Sequence, residues 1–260
     1  MKKNKIKFLE NFYRLENKKI IITGCSGQLG SCLVDIFLKF GCIVIGLDIN
    51  KPKKNYKSNF FFYQLDISVF KENNLIFNNI FKKFKKIDCL VNNAGVAVFK
   101  PFTKRSEEEL DWVTNINLKS YFYSIKNFYK FSDKKINKSI INISSIYSLI
   151  SPDPRIYSKN DRKSSEIYGA TKAGVNQMSR YFAIHLSDKN IRVNTVSPGG
   201  IYNSRSPQNK NFIKEYSYRN PLKRMARTEE IAGAVIYLAS NSSTYTNGHN
   251  LVVDGGMSSW

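Results

Sequence analysis

The sequence predicts an α/β fold: a doubly wound parallel sheet of about seven strands with helices on both faces. Three observations predict it. Short apolar runs alternate with stretches of helical period along most of the chain, the pattern of strand–helix–strand units joined by right-handed crossovers. A glycine-rich turn, Thr23-Gly24-Cys25-Ser26-Gly27-Gln28-Leu29-Gly30, separates the first such run from the first such stretch. Finally, 260 residues at 42% apolar composition are enough for one continuous core.

Taken in order, Lys19 to Thr23 is a short apolar run ending in glycine, the signal of a buried strand. Leu29, Cys32, Leu33, Ile36, Phe37 and Phe40 then recur at helical spacing until Gly41 ends the pattern. Cys42 to Leu47 is the second strand. Phe60 to Leu65, Ile87 to Val91, Ser139 to Ser144, Arg192 to Val196 and Asn250 to Val253 are the others. Helical patterns occupy Ser68 to Phe84, Glu107 to Phe131, Glu166 to Ser187 and Thr228 to Ala239. Residues 1–17 read as a basic arm and residues 18–260 as a single domain. In such a sheet the ligand site is expected at the carboxyl ends of the strands.

Bulk properties exclude several classes. The longest apolar runs, such as Cys42-Ile43-Val44-Ile45, are far too short to cross a bilayer. Met1 to Glu10 has no apolar signal-peptide core, and Cys25, Cys32, Cys42 and Cys89 show no CxxC spacing. A cytoplasmic protein with reduced thiols and no metal site is expected. The net charge of +21 invites a nucleic-acid reading. Yet the lysines are scattered, asparagine, isoleucine and phenylalanine are abundant too, and no nucleic-acid-binding signature accompanies the charge. No specific nucleic-acid partner is expected; a small-molecule substrate drawn in by the basic surface fits better.

The chemistry-bearing motifs sit at strand ends. In the glycine turn, Gly24 permits the tight bend, Gly27 lets backbone approach a diphosphate, and Gly30 lets helix pack closely on strand. The following helix N-terminus presents free N–H groups to phosphates. Asp48, eighteen residues after Gly30, ends the second strand. A carboxylate there accepts ribose hydroxyls and repels a 2′-phosphate, favouring NAD over NADP, although Lys51, Lys53 and Lys54 follow closely. Asp66 ends the third strand as an adenine contact or a helix cap, and Asn92-Asn93-Ala94-Gly95 follows the fourth. Tyr168 and Lys172, four apart on one helix face, pair a phenol with an ammonium that favours its ionised form.

These residues, with Asn115-Ile116-Asn117-Leu118, Ile143-Ser144-Ser145, Ser197-Pro198-Gly199-Gly200 and Asp254-Gly255-Gly256, occur in one family's order. The chain resembles the short-chain dehydrogenases/reductases from about Lys18 onward, whose fold is Rossmann-type. The resemblance implies a tetrad of Asn117, Ser145, Tyr168 and Lys172 that interconverts a secondary alcohol and a ketone. Tyr168 would exchange the substrate proton, Ser145 would hold the substrate oxygen, and Lys172 would lower the Tyr168 pKa and hold the nicotinamide ribose. Asn117 would anchor a relay water. Cofactor contacts implied are Gly24, Ser26, Gly27, Gln28, Leu29, Asp48, Asp66, Ile67, Asn93, Ala94, Gly95, Pro198, Gly199 and Ile201. A homotetramer or homodimer is implied as well, built through the helical patterns at Glu107 to Phe131 and Glu166 to Ser187 and the C-terminal strand.

The sequence departs from the family pattern in three places. Its turn is TGxxGxxG, a spacing shared with sugar-nucleotide enzymes. Ser145 and Tyr168 lie 23 residues apart, leaving an insertion around Ser151 to Ser165, and Asn203 replaces the usual threonine after the Pro-Gly turn. The insertion is expected to shape the substrate pocket. The Ser-Ser-Ile-Tyr-Ser run, the Pro221-Leu222-Lys223-Arg224-Met225 segment and the C-terminal Asp-Gly-Gly-Met-Ser-Ser-Trp are similar to oxidoreductases of surface-polysaccharide and flagellin-glycan biosynthesis. Basic residues in the insertion and near Lys210 to Arg224 suit an anionic sugar derivative. The rival readings are a non-catalytic dinucleotide-binding regulator and a nucleotide-sugar epimerase or dehydratase.

Overall fold

Apolar β-branched runs buried on both faces build the sheet: Ile20, Ile21 and Ile22 of β1 (Lys19–Thr23) are wholly inaccessible, as are Ile140 and Ile141 of β5 (Lys138–Ile143). The computed structural model describes residues 11–133, 135–157, 163–204 and 206–260. The remaining strands are β2 (Ile43–Asp48), β3 (Phe60–Gln64), β4 (Cys89–Asn92), β6 (Ile191–Pro198) and β7 (Asn250–Val253). They pair in parallel in the order β3-β2-β1-β4-β5-β6-β7. The chain builds outward from β1 to β3, then returns to start β4 on the other side. The crevice at that reversal lies between the ends of β1 and β4.

Helices α1 (Gln28–Lys39) and α7 (Thr228–Ala239) cover one face, packing Leu33, Val34 and Phe37 with Ile231, Val235 and Leu238. The other face is covered by α2 (Phe70–Phe84), α4 (Ser120–Phe131) and α5 (Glu166–His185), with Phe77, Ile80, Ile125, Phe128 and Ala183 inside. A smaller apolar cluster of Ile146, Ile156, Tyr157, Tyr216, Met225 and Met257 sits over the carboxyl end of the sheet.

Two features differ from the sequence expectation. The helical pattern from Glu107 to Phe131 is not one helix: α3 (Glu107–Thr114) and α4 are joined by a wide π turn, Asn115–Lys119. There the buried Asn117 amide accepts from Val96 N and donates to Val96 O, both at 2.8 Å. In addition α6 (Lys210–Arg219), which the sequence reading left unassigned, closes over the insertion. Of the expected basic arm, residues 1–10 lie outside the described residues. Its end packs on the domain: Leu15 is buried against the α1 face, and Asn17 N donates to Gly41 O at 2.9 Å.

A buried polar chain crosses the middle of the molecule. Asn92 Nδ2 donates to Asn142 Oδ1, and Asn142 Nδ2 donates to Ser179 Oγ of α5, each at 2.8 Å. Among the described residues no helix is long and apolar enough to cross a membrane.

Candidate active site

The glycine turn is built by sterics. Gly24 has φ +65°, and a Cβ on Gly30 would lie 2.0 Å from Gly24 O, so no side chain fits there without opening the turn. Gly27 caps α1 without a side-chain bond, and the first turn carries no acidic residue. The N–H groups there therefore remain directed at an anion. Thr23 staples the opposite wall. Its Oγ1 accepts from the N–H groups of Asn93 and Ala94, at 2.9 and 3.0 Å, and Asn93 Nδ2 donates back to Thr23 O and Gly24 O.

A cleft of about 1360 Å³ opens along these strand ends. Gly24, Ser26, Gly27, Gln28, Leu29, Asp48, Asp66, Ile67, Asn93, Ala94 and Gly95 line one arm, and Ser145, Tyr168, Lys172, Pro198, Gly199 and Ile201 the other. Asp48 accepts from Ser26 N and Asn50 N, each at 2.9 Å, which fixes its carboxylate at the far end. Asp66 Oδ1 accepts from the N–H and hydroxyl of Ser68, closing the turn before α2 rather than capping the helix, whose N-cap is Val69. Gln28 Nε2 donates to Tyr202 O at 2.7 Å and bridges the start of α1 to the loop after β6.

Asn117 alone of the expected set does not line the cleft. Its amide holds the Val96 backbone and so steadies the loop that follows Gly95. Only long-range pairing decides this, and the local sequence carries no sign of Val96 as the partner.

The end of β5 and the start of α5 bring Ser145, Tyr168 and Lys172 together. Ser165 caps α5, its Oγ accepting from Tyr168 N. Ser144 Oγ donates to Lys172 O at 3.0 Å, fastening the helix backbone to the strand end. Ser145 Oγ accepts from Tyr147 N, and the Tyr147 ring meets Tyr168 edge-on with centroids 6.5 Å apart. Lys172 Nζ donates to Ile143 O at 2.8 Å and to the Tyr121 hydroxyl at 3.3 Å.

Burial dominates the electrostatics of the pair. Burial raises the Tyr168 phenol above its ordinary value, with the Ser145 hydrogen bond pulling the other way. Burial likewise lowers the Lys172 ammonium to about 7. Desolvation is the largest influence on both groups, and the ammonium bonds the Ile143 carbonyl and the Tyr121 hydroxyl rather than the phenol. Tyr121 was missed by the sequence reading. The signal was its place one turn after Asn117, but an aromatic at that spacing reads equally as core.

The described part of the insertion folds as a roof. Its short turn Pro154–Ile156 packs on α6, with Tyr157 against Phe212 at 5.7 Å. Asp153 accepts from Arg155 and from Arg219 of α6, and Arg219 also donates to Glu215. Tyr216 ties the roof to the cleft, its hydroxyl accepting from Gly200 N at 2.6 Å. Of the cations expected to meet an anionic substrate, Arg155, Arg219 and Arg224 are turned to carboxylates; Lys159 and Arg162 lie outside the described residues. Tyr147, Tyr157, Ser164, Asn203, Phe212 and Trp112 line this end. Among the described residues no cluster of His, Cys, Asp or Glu is arranged to hold a metal.

Comparison with known proteins gives the following. A family model described as enoyl-(acyl carrier protein) reductase matches residues 28–258. A flagellin modification protein A of Campylobacter coli is 32% identical over 256 residues, covering 93% of this chain and 98% of that protein. A 3-oxoacyl-(acyl-carrier-protein) reductase of Thermotoga maritima is 31% identical, covering 94% and 99%. A solved short-chain dehydrogenase from Leptospira borgpetersenii with bound NAD+ superposes with a TM-score of 0.86 at 38% identity, covering 96% of this chain and 95% of that one.

Proposed function

Because the chain belongs to the short-chain dehydrogenase/reductase family of oxidoreductases, we propose that it interconverts a secondary alcohol and a ketone on a sugar derivative, using NAD. The observation that carries the reading is the convergence of Ser145, Tyr168 and Lys172 with the glycine turn in one cleft. The residues present fit a dinucleotide: an uncapped helix N-terminus for the diphosphate, glycines that leave room for it, and Asp48 at the far end for the ribose. NAD supplies the hydride acceptor, and NADH the donor in the reverse direction.

The chain's own groups handle the proton. Tyr168 gives it to a ketone oxygen or takes it from a hydroxyl. The Ser145 hydroxyl bonds the same oxygen and steadies the charge that develops on it. The Lys172 ammonium favours the phenolate and holds the nicotinamide ribose, while Asn117 keeps the Val96 loop in position. NADP is tolerated through Lys51 and Lys53, which line the Asp48 end. Asp48→Asn removes the charge and keeps one oxygen, so one of Ser26 N and Asn50 N, which bond different carboxylate oxygens, loses its acceptor. It is expected to move the NAD/NADP preference toward NADP by about tenfold or more, equivalent to about 1.4 kcal/mol. Fluorescence titration with NADH and NADPH reads this directly; an unchanged ratio would reject the role of Asp48.

Support for a sugar derivative, in surface-glycan biosynthesis, comes from the flagellin-modifying relative and from the hydroxyl- and amide-bearing side chains at the roofed end. The test is NADH formation or consumption across sugars, polyols, sugar nucleotides and a 3-oxoacyl thioester. Turnover of the thioester alone would move the substrate to the acyl-carrier class. No turnover at all would leave a dinucleotide-binding regulator. With the active panel member, Asp153→Asn should unfasten the insertion from α6, raising KM several-fold with NADH affinity unchanged. An unaltered KM would detach the roof from substrate binding. A homotetramer or homodimer is supported by the exposed apolar side chains Phe122, Tyr181 and Ile184 on α4 and α5, and a cytoplasmic location by four free cysteines.

A further inference from the structure

Tyr121 is among the largest fully buried side chains, and a buried phenol needs partners for its hydroxyl. It donates to Ile143 O at 3.0 Å and accepts from Lys172 Nζ at 3.3 Å. Lys172 Nζ donates to the same carbonyl at 2.8 Å. Phenol, ammonium and carbonyl therefore close a triangle at the end of β5, two residues before Ser145. The ammonium also lies 5.2 Å from the Tyr121 ring centroid and 5.8 Å from that of Tyr168, between two aromatic rings.

We infer that Tyr121 is a positioning residue: its hydroxyl, with the Ile143 carbonyl, fixes Lys172 on the cleft floor and keeps it an ammonium. This rests on the reading of Tyr168 and Lys172 given above. A desolvated amine sheds its proton readily, and each acceptor it finds favours the charged form. The groups facing Lys172 are Tyr121 from α4, Tyr168 from its own helix, the Ile143 carbonyl from β5, and Gly95 and Asn117 from the neighbouring loop and π turn. Among the described residues no carboxylate acts on it, and burial alone brings it to about 7. Tyr121 supplies one of its two hydrogen-bond acceptors. It is not a proton exit, because its own hydrogen is committed to the Ile143 carbonyl.

Tyr121→Phe keeps the ring and removes only the hydroxyl. The experiment titrates wild type and variant, labelled with 13C at the lysine ε carbons, by NMR, with the Lys172 signal assigned by its loss in Lys172→Arg. In the wild type that signal should titrate near neutrality, far below the other lysines. In Tyr121→Phe it should titrate about half a pH unit lower or more, about a threefold loss of proton affinity. Identical Lys172 titrations in both proteins overturn the inference, and Tyr121→Leu gives the same reading should the phenylalanine variant fold poorly. The titration needs no turnover, so its failure leaves the dehydrogenase reading standing. A Tyr168→Phe protein that still turns over would remove that reading and leave the titration untouched.

Discussion

Tyr168→Phe is expected to lower turnover by about 10²–10⁴-fold, the usual weight of a positioned general acid or base, with NADH affinity within about twofold of wild type. The ring would stay where it is, against Tyr147 and beneath the cleft. Only the phenol hydroxyl is lost. Burial holds this phenol protonated above its ordinary range, so in the free protein it is ready to donate at neutral pH. Ketone reduction should therefore run at full rate at neutral pH and fall only when the pH approaches the raised phenol value. Alcohol oxidation needs the phenolate and should rise with pH over the same window. Steady-state rates in both directions against pH, beside a fluorescence titration with NADH, check the pair of statements. Activity within threefold of wild type would remove Tyr168 from the chemistry.

Gly30→Ala should damage cofactor binding and stability together. The added methyl would meet Gly24 O at 2.0 Å and Cys25 Cα at 2.9 Å, all backbone, and none of it can swing aside. Relief requires opening the turn that the diphosphate would use. Overpacking of this kind costs about 1–3 kcal/mol, which lowers Tm by roughly 2–12 °C in a chain of this size. NADH affinity should fall by about tenfold or more, equivalent to about 1.4 kcal/mol. Gly233→Ala is the matched control, since nothing lies within 4 Å of a Cβ there. In the middle of α7 that methyl should leave binding unchanged and stabilise by about 0.4–1 kcal/mol. Equal melting temperatures for the two variants would contradict the steric account.

Much of this was legible in the sequence, for identifiable reasons. The bounds of β1, β7 and α7 fall where the apolar period and its punctuation put them. The glycine turn and the residues Ser145, Tyr168 and Lys172 were legible because each sits at the end of a strong element, where local spacing decides position. Helix α6 was not: its ten residues bury only Tyr216, so its pattern is that of a polar loop until the roof is assembled around it. The π turn was hidden for a related reason. Asn117 is explained by Val96, which is 21 residues away in sequence. The Lys172 contacts were equally out of reach, since i,i+4 spacing places it beside Tyr168 but not against the carbonyl of Ile143.

The chain of amides through Asn142 has a bearing on how sharply the reacting groups are set. Asn142 stands three residues before Ser145, and Ser179 seven residues after Lys172 on α5. Sliding β5 by one position would turn Asn142 to the opposite face, leaving the Asn92 amide without its acceptor and the Ser179 oxygen without its donor in a dry interior where each loss is expensive. The interior thus works as an indexing pin. It admits one alignment of strand against helix and, with it, one separation between a serine and a tyrosine more than twenty positions apart.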